Sequence, residues 1–319
     1  LGLQNYHDAR KTFPYAYVIA GSGTYSDVTA YQGPNWVCAL LPFTEGTGVM
    51  SLYDKNGFFV DTATNISFRS STLPFLICPT DSNTSKLYNG SNMAGTSNGL
   101  AATTGSWGRT NYGANMSATQ YNGAGAIGTT GTAYMFNYPQ RTGVMMPNAS
   151  IPLRMVTDGS SKTVLVAEMR VDIGPSANRG TWASTGGSAL CAHAAFYWTA
   201  TNGFTASGSQ DDNGPNNGGT NADDSATCGN AQSFAGSASA LITLGMGCYN
   251  SAGGTAQLGP KSMHSGGLQY VMCDGSVHWM DDTIPIGSGT STATIVMGPY
   301  EMLFLSQDGG DLPQDVYNN

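Results

Sequence analysis

Charge is what this sequence has least of. Only 10% of its 319 residues are Asp, Glu, Lys or Arg, against roughly 25% in an ordinary globular protein. Lys and Arg together number 12 and the formal net charge is −8. The basic footprint that nucleic acid or an anionic membrane demands is therefore missing, and neither is expected as a partner. Long hydrophobic runs are missing as well: no apolar stretch approaches the ~20 residues that span a bilayer, and the chain does not open on a signal-peptide pattern. No C-x-x-C occurs among the six cysteines, which argues against a zinc ribbon and a thioredoxin-like pair.

What remains is a neutral, small-residue chain. Glycine numbers 43 and hydrophobic residues make up 40%, too apolar and too weakly charged for intrinsic disorder. The expectation is a folded protein with long decorated loops. An even cysteine count suits an oxidising exterior. Cys191, Cys228 and Cys248 bracket the most Gly- and Asn-rich stretch, where cross-links replace missing core, and at least two of the three are expected to pair. For Cys78 and Cys273 a buried free thiol is an equal alternative to a disulfide.

Along the chain, Leu1, Leu3 and Tyr6 ahead of Thr12-Phe13-Pro14 predict the last turns of a helix that stops at the proline. Trp36 to Phe43 reads as strand or short helix, undecided by length alone, and Pro74 to Pro79 as a short strand. Residues 82–150 and 171–260 read as two loop-rich insertions, the first with isolated aromatics such as Trp107 and Tyr121. Thr163 to Ala167, β-branched and nearly all apolar, predicts a central strand covered on both faces. Ile295 to Leu305 predicts a short helix, and residues 306–319 a polar tail. One α+β domain spanning 1–319 accommodates these elements.

The strongest local pattern is His264-Ser-Gly-Gly-Leu-Gln-Tyr-Val-Met-Cys-Asp274-Gly275-Ser-Val-His-Trp. Asp274-Gly275 between alternating runs predicts a hairpin with a two-residue type I′ turn. That turn would pair Met272 with Val277 and Tyr270 with Trp279, all four on one face. Val271, Cys273 and His278 would share the other.

A histidine followed after nine residues by Asp-Gly resembles the signature of the H-X9-DG (DUF1559) family of pilin-like secreted proteins, best known from planctomycetes. Three further stretches resemble that family in its own order: Leu1-Gly-Leu-Gln-Asn-Tyr-His-Asp8 followed by Thr12-Phe-Pro14, Phe75-Leu-Ile-Cys-Pro-Thr-Asp81, and Arg154 through Glu168. The resemblance implies a pilin-like fold, with residues 1–13 as the end of an N-terminal helix, an antiparallel sheet, and the signature hairpin at 261–285. It implies that His7 fixes the helix end against the globular domain. Proteins of this kind carry a class III signal and a long hydrophobic helix upstream of the segment matching Leu1 to His7, and neither stands in this sequence.

Several patterns invite chemistry and fail their context. Gly95-Thr-Ser-Asn-Gly99 matches G-x-S-x-G without a buried strand before it, and Gly123-Ala-Gly-Ala-Ile-Gly128 matches G-x-G-x-x-G without the flanking strand and helix. Nucleophile, base and orienting group never occur together, so no catalytic residue and no organic cofactor is expected. Of the four histidines, His7, His193, His264 and His278, the last two with Asp274 form a candidate metal set. The plainer expectation is that His264 bonds backbone ahead of Gly266-Gly267 and holds the hairpin's entry. Asp211, Asp212, Asn213, Asp223 and Asp224 supply oxygens on a flexible loop, the donor type calcium prefers, although no EF-hand loop is present. Asp172, Asp308, Asp311 and Asp315 are weaker candidates. Sequons at Asn65, Asn83, Asn89, Asn115 and Asn148 predict exposed loops, with glycans as a candidate attachment.

Taken with the resemblance, these observations predict a non-enzymatic structural subunit, extracellular or on the cell surface, that self-associates into a pilus-like filament through contacts at Trp107 and Tyr121. The alternatives are a secreted solute- or glycan-binding module and a minor pseudopilin of a type II secretion system.

Overall fold

The computed structural model describes residues 1–20, 31–56, 60–90, 106–117, 142–184, 187–191, 196–199, 203–206, 214–219, 228–248, 259–287 and 296–309. Helix and antiparallel-rich sheet are mixed, an α+β arrangement.

At its centre is a five-stranded sheet in the order β11-β10-β6-β3-β7. Its strands are β3 (Tyr112–Ser117), β6 (Val164–Glu168), β7 (Ala189–Cys191), β10 (Gly267–Met272) and β11 (Val277–Asp281). All neighbours are antiparallel except β3 with β7. Three two-stranded ladders stand outside it: β1 (Tyr17–Ala20) with β2 (Tyr31–Asn35), β4 (Met145–Met146) with β5 (Ala149–Ser150), and β8 (Phe196–Thr199) with β9 (Gly203–Ala206).

β6 occupies the middle of the sheet and is buried throughout, as its β-branched run predicts. Leu165 and Val166 belong to one core with Trp36, Ala114 and Met116, while Val164 and Ala167 belong to another with Leu268, Tyr270, Met272, Leu303 and Phe304. The second core is closed by the short helix Pro299–Phe304, inside the segment where one was predicted. The first is closed by α1 (Gly2–Arg10) and α2 (Trp36–Leu40). Leu3 of α1 packs on that core, and Gln4 Nε2 donates to Cys273 O at 2.7 Å. α1 ends at Lys11, which takes a left-handed conformation just before Phe13-Pro14. The 36–43 run is helical because Asn35 caps it: its Oδ1 accepts from Val37 N and Cys38 N, satisfying two otherwise orphaned donors.

Three expectations need correction. The hairpin is present, but its register is one residue off: Tyr270 faces His278 and Leu268 faces Met280. The loop has three residues, Cys273 to Gly275, because Met272 N bonds Ser276 O and Gly275 takes φ +91°, the geometry of a type I turn followed by a left-handed bulge glycine. Cys273 N and Asp274 N are tied to Thr163 O and Ser160 O, which draws the cysteine into the turn. Trp279 and Val277 therefore leave the Tyr270–Met272 face, and His278 stacks on Tyr270 at 5.8 Å. Next, Pro74–Leu76 is a 3-10 turn rather than a strand; it and the cysteine after it are fastened to Asn111, whose N donates to Leu76 O and whose Oδ1 accepts from Cys78 N. Lastly, residues 107–117 inside the expected 82–150 insertion are core: β3 lies between β6 and β7, and Trp107 is 0% exposed. Its ring stacks under the Arg69 guanidinium at 4.7 Å, so it cannot serve as a subunit contact.

A third, smaller cluster of Ile173, Ala177, Cys228, Ala231, Leu241, Met246 and Cys248 joins the helices Cys228–Ala235 and Ala238–Thr243. The disulfide Cys228–Cys248 crosses it, as expected for a stretch with little core of its own.

Candidate functional site

Three of the four stretches singled out above converge at the end of β6. The 3-10 turn brings Cys78 into the protein; β6 ends on Glu168; the chain entering β10 carries His264. His264 Nε2 lies 3.2 Å from Glu168 Oε1 and 3.6 Å from Cys78 Sγ. Among the described residues this is the one group of three His, Cys, Asp or Glu side chains whose ligand atoms all lie within 4.8 Å of one another.

Each side chain is held from outside the group. Glu168 Oε2 accepts from Gln269 N at 2.8 Å, which fixes the carboxylate plane. His264 N donates to Ser262 Oγ at 3.1 Å, and the ring sits 6.2 Å from that of Trp279, edge to face. Cys78 Sγ contacts Thr80 Oγ1 at 3.0 Å. Asn111 anchors the cysteine loop to the sheet, since its Nδ2 donates to Asp81 Oδ2 and to Met169 O. Asp81 Oδ2 also accepts from Val171 N at 2.8 Å. Gly267 lets the start of β10 pair closely with β11, because a Cβ there would stand 2.1 Å from Met280 O. Glu168 is 3% exposed and His264 29%, so the imidazole is the route to solvent.

The arrangement is not a hydrolase triad. There the base meets the nucleophile through one ring nitrogen and its orienting carboxylate through the other; here sulfur and carboxylate converge on the same Nε2. Cys38 and Cys273 are free and buried. Burial pushes the Cys38 thiol up to about 12 and the Cys273 thiol higher than any ordinary thiol value, so both stay protonated and unreactive.

Other sequence-predicted positions fare differently. The set His264, His278 and Asp274 is not brought together: Asp274 Oδ1 accepts from Ser276 N and Oγ, and His278 Nε2 contacts Ser276 Oγ. The His264 side chain goes to Glu168 and Cys78 instead of backbone. His7 does join α1 to the domain, through Leu153 N at 3.5 Å and the Phe13 ring at 5.0 Å. Asp172 is buried; burial raises its carboxyl pKa against the lowering pull of Arg109. Asp308 contributes a backbone bond to Asp158. The sequons at Asn65 and Asn115 are not on exposed loops: both asparagines are buried, with Asn65 Oδ1 accepting from Asp54 N and Asn115 Nδ2 donating to Val164 O. Asp211, Asp212, Asn213, Asp223, Asp224, Asp311, Asp315, Tyr121, His193, Gly95–Gly99 and Gly123–Gly128 lie outside the described residues. Cys191 is described only as the last residue of β7.

Glu168 and Cys78 are the members of this group that reading by motif missed. Both stand in the stretches quoted above, but nothing local links them. A family described as "Protein of unknown function (DUF1559)" matches residues 1–287. The chain belongs to this family. Cys78, Glu168 and His264 all fall within the family segment, as do β6, the hairpin and α1. No curated protein and no solved structure matches the chain.

Proposed function

We propose that the chain is the globular part of a structural subunit that self-associates into an extracellular pilus-like assembly. The observation that carries this reading is the placement of α1. Its first turn and the sheet residues Leu165, Val166 and Val271 line one cavity, with Phe75 at the same site, which leaves an apolar rim there. Phe75 is 41% exposed. A helix beside the sheet with an exposed apolar rim next to it suits a subunit that polymerises through that rim. Two further facts support it: few like charges oppose the stacking of copies, and the Cys228–Cys248 disulfide suits an oxidising exterior. No helix among the described residues is long and apolar enough to cross a membrane.

Phe75→Asp tests the reading. Charge placed on the apolar rim is expected to weaken each subunit contact by about 2 kcal/mol or more, roughly thirtyfold, and to convert the native assembly to single subunits in sedimentation velocity. Phe75→Leu should leave it intact. An unchanged assembly in Phe75→Asp would move the contact elsewhere.

One observation favours a second reading, a secreted glycan-binding module. A cavity of about 480 Å³ beside α1 is lined by Tyr6, Arg10, Tyr15, Phe43 and Tyr53, among other residues, and aromatic side chains of this kind can stack on sugars. Calorimetric titration with saccharides that shows binding, abolished by Tyr15→Ala, would favour it.

A further inference from the structure

We propose that Cys78, Glu168 and His264 bind a zinc ion. Ordinary zinc–sulfur and zinc–nitrogen bonds of about 2.3 and 2.0–2.1 Å put sulfur and nitrogen about 3.6 Å apart along a tetrahedral edge, and nitrogen and carboxylate oxygen about 3.3 Å apart. The protein sets these pairs at 3.6 and 3.2 Å. The convergence of sulfur and carboxylate on one ring nitrogen, which rules out a relay, is what coordination of a common ion produces. The donor set is a soft thiolate, an imidazole and a carboxylate, which selects zinc over calcium or magnesium.

The surroundings are those of a ligand shell. Gln269 N orients the carboxylate, Asn111 fixes the cysteine backbone, and Thr80 Oγ1 stands where its hydroxyl donates to a thiolate. Such outer contacts hold first ligands in place and tune them. Three protein donors leave the fourth position to water, on the solvent-exposed side of His264. The ion would clamp together segments that are 186 and 96 residues apart in sequence.

Cobalt(II) titrated into the full chain tests the assignment. The expected result is saturation at one cobalt per chain, intense tetrahedral visible bands, and a thiolate-to-cobalt charge-transfer band that zinc abolishes. Cys78→Ser should lose the charge-transfer band, while Cys38→Ser and Cys273→Ser keep it. His264→Gln should weaken binding by roughly a hundredfold or more, and Thr80→Val by roughly ten- to a hundredfold. Circular dichroism checks that the variants fold. If the wild-type chain shows only the spectrum of hydrated cobalt, the assignment is overturned without recourse to any variant. A charge-transfer band that survives Cys78→Ser overturns it too. Neither result bears on assembly, which Phe75→Asp reads separately.

Discussion

Replacing Arg109 with alanine is expected to destabilise the protein by roughly 3–5 kcal/mol, the range for removing a buried charged partner. The guanidinium is almost completely buried and acts as the hub of the loops flanking β3. Nε donates to Lys86 O, Nη1 to Ala177 O, Arg179 O and Thr181 Oγ1, and Nη2 to Gly174 O. Burial pulls its pKa down to about 10, opposed by Asp172, so it stays charged at neutral pH. Alanine removes a donor from four backbone carbonyls, of which Arg179 O keeps a bond from Asp172 N, and takes from Asp172 the larger of its two neighbouring positive charges, leaving Arg179. In a chain of this size the thermal midpoint should fall on the order of 10 °C. Lysine should not rescue it, because an ammonium offers three donors from a single point where the site uses a planar fork. Calorimetric scans of Arg109→Ala and Arg109→Lys check this, and a wild-type midpoint for Arg109→Lys would contradict it. Because Asn111 follows two residues later and holds the Cys78 backbone, the same variants should also loosen the cysteine loop.

Loss of the Cys228–Cys248 disulfide should cost about 3 kcal/mol, the chain-entropy value for a loop of this length with its sequence separation of 20. The loss should be local. The helices Cys228–Ala235 and Ala238–Thr243 share a small core of their own, and Arg170 Nη1, donating to Leu244 O at 2.8 Å, is one of the links between this unit and the sheet. Hydrogen exchange of the Cys228→Ser/Cys248→Ser variant should speed up across 228–248 while β6 and β10 keep their protection. Unchanged exchange in 228–248 would show that the small core holds itself together.

Periodicity made some parts of this fold legible and concealed others. The apolar run at β6 could only be a strand covered on both faces. The Asp274-Gly275 hairpin was visible too, yet Asp-Gly serves a two-residue and a three-residue loop equally, and only the bonds from Thr163 and Ser160 to the turn decide the register. Helix α2 hinged on the Asn35 cap, a single side chain. Strand β3 was hidden because Tyr112-Gly-Ala-Asn-Met-Ser mixes small and polar residues; its Asn115 is buried by donating to Val164 O and Phe304 O, a tertiary arrangement that looks like loop composition in sequence. The candidate site was legible in its pieces only. His264 announced itself through its spacing to Asp274, but its partners are Cys78 and Glu168, brought in by β6 pairing with β10 and by Asn111 bridging the 3-10 turn to the sheet.

Negative-stain electron microscopy of the natively isolated protein is the direct test of the proposed self-association. The expected result is regular filaments or sheets of uniform width, built from repeating particles. A field of monodisperse single particles at the concentrations found on isolation would contradict it, and would shift the weight to the aromatic cavity beside α1.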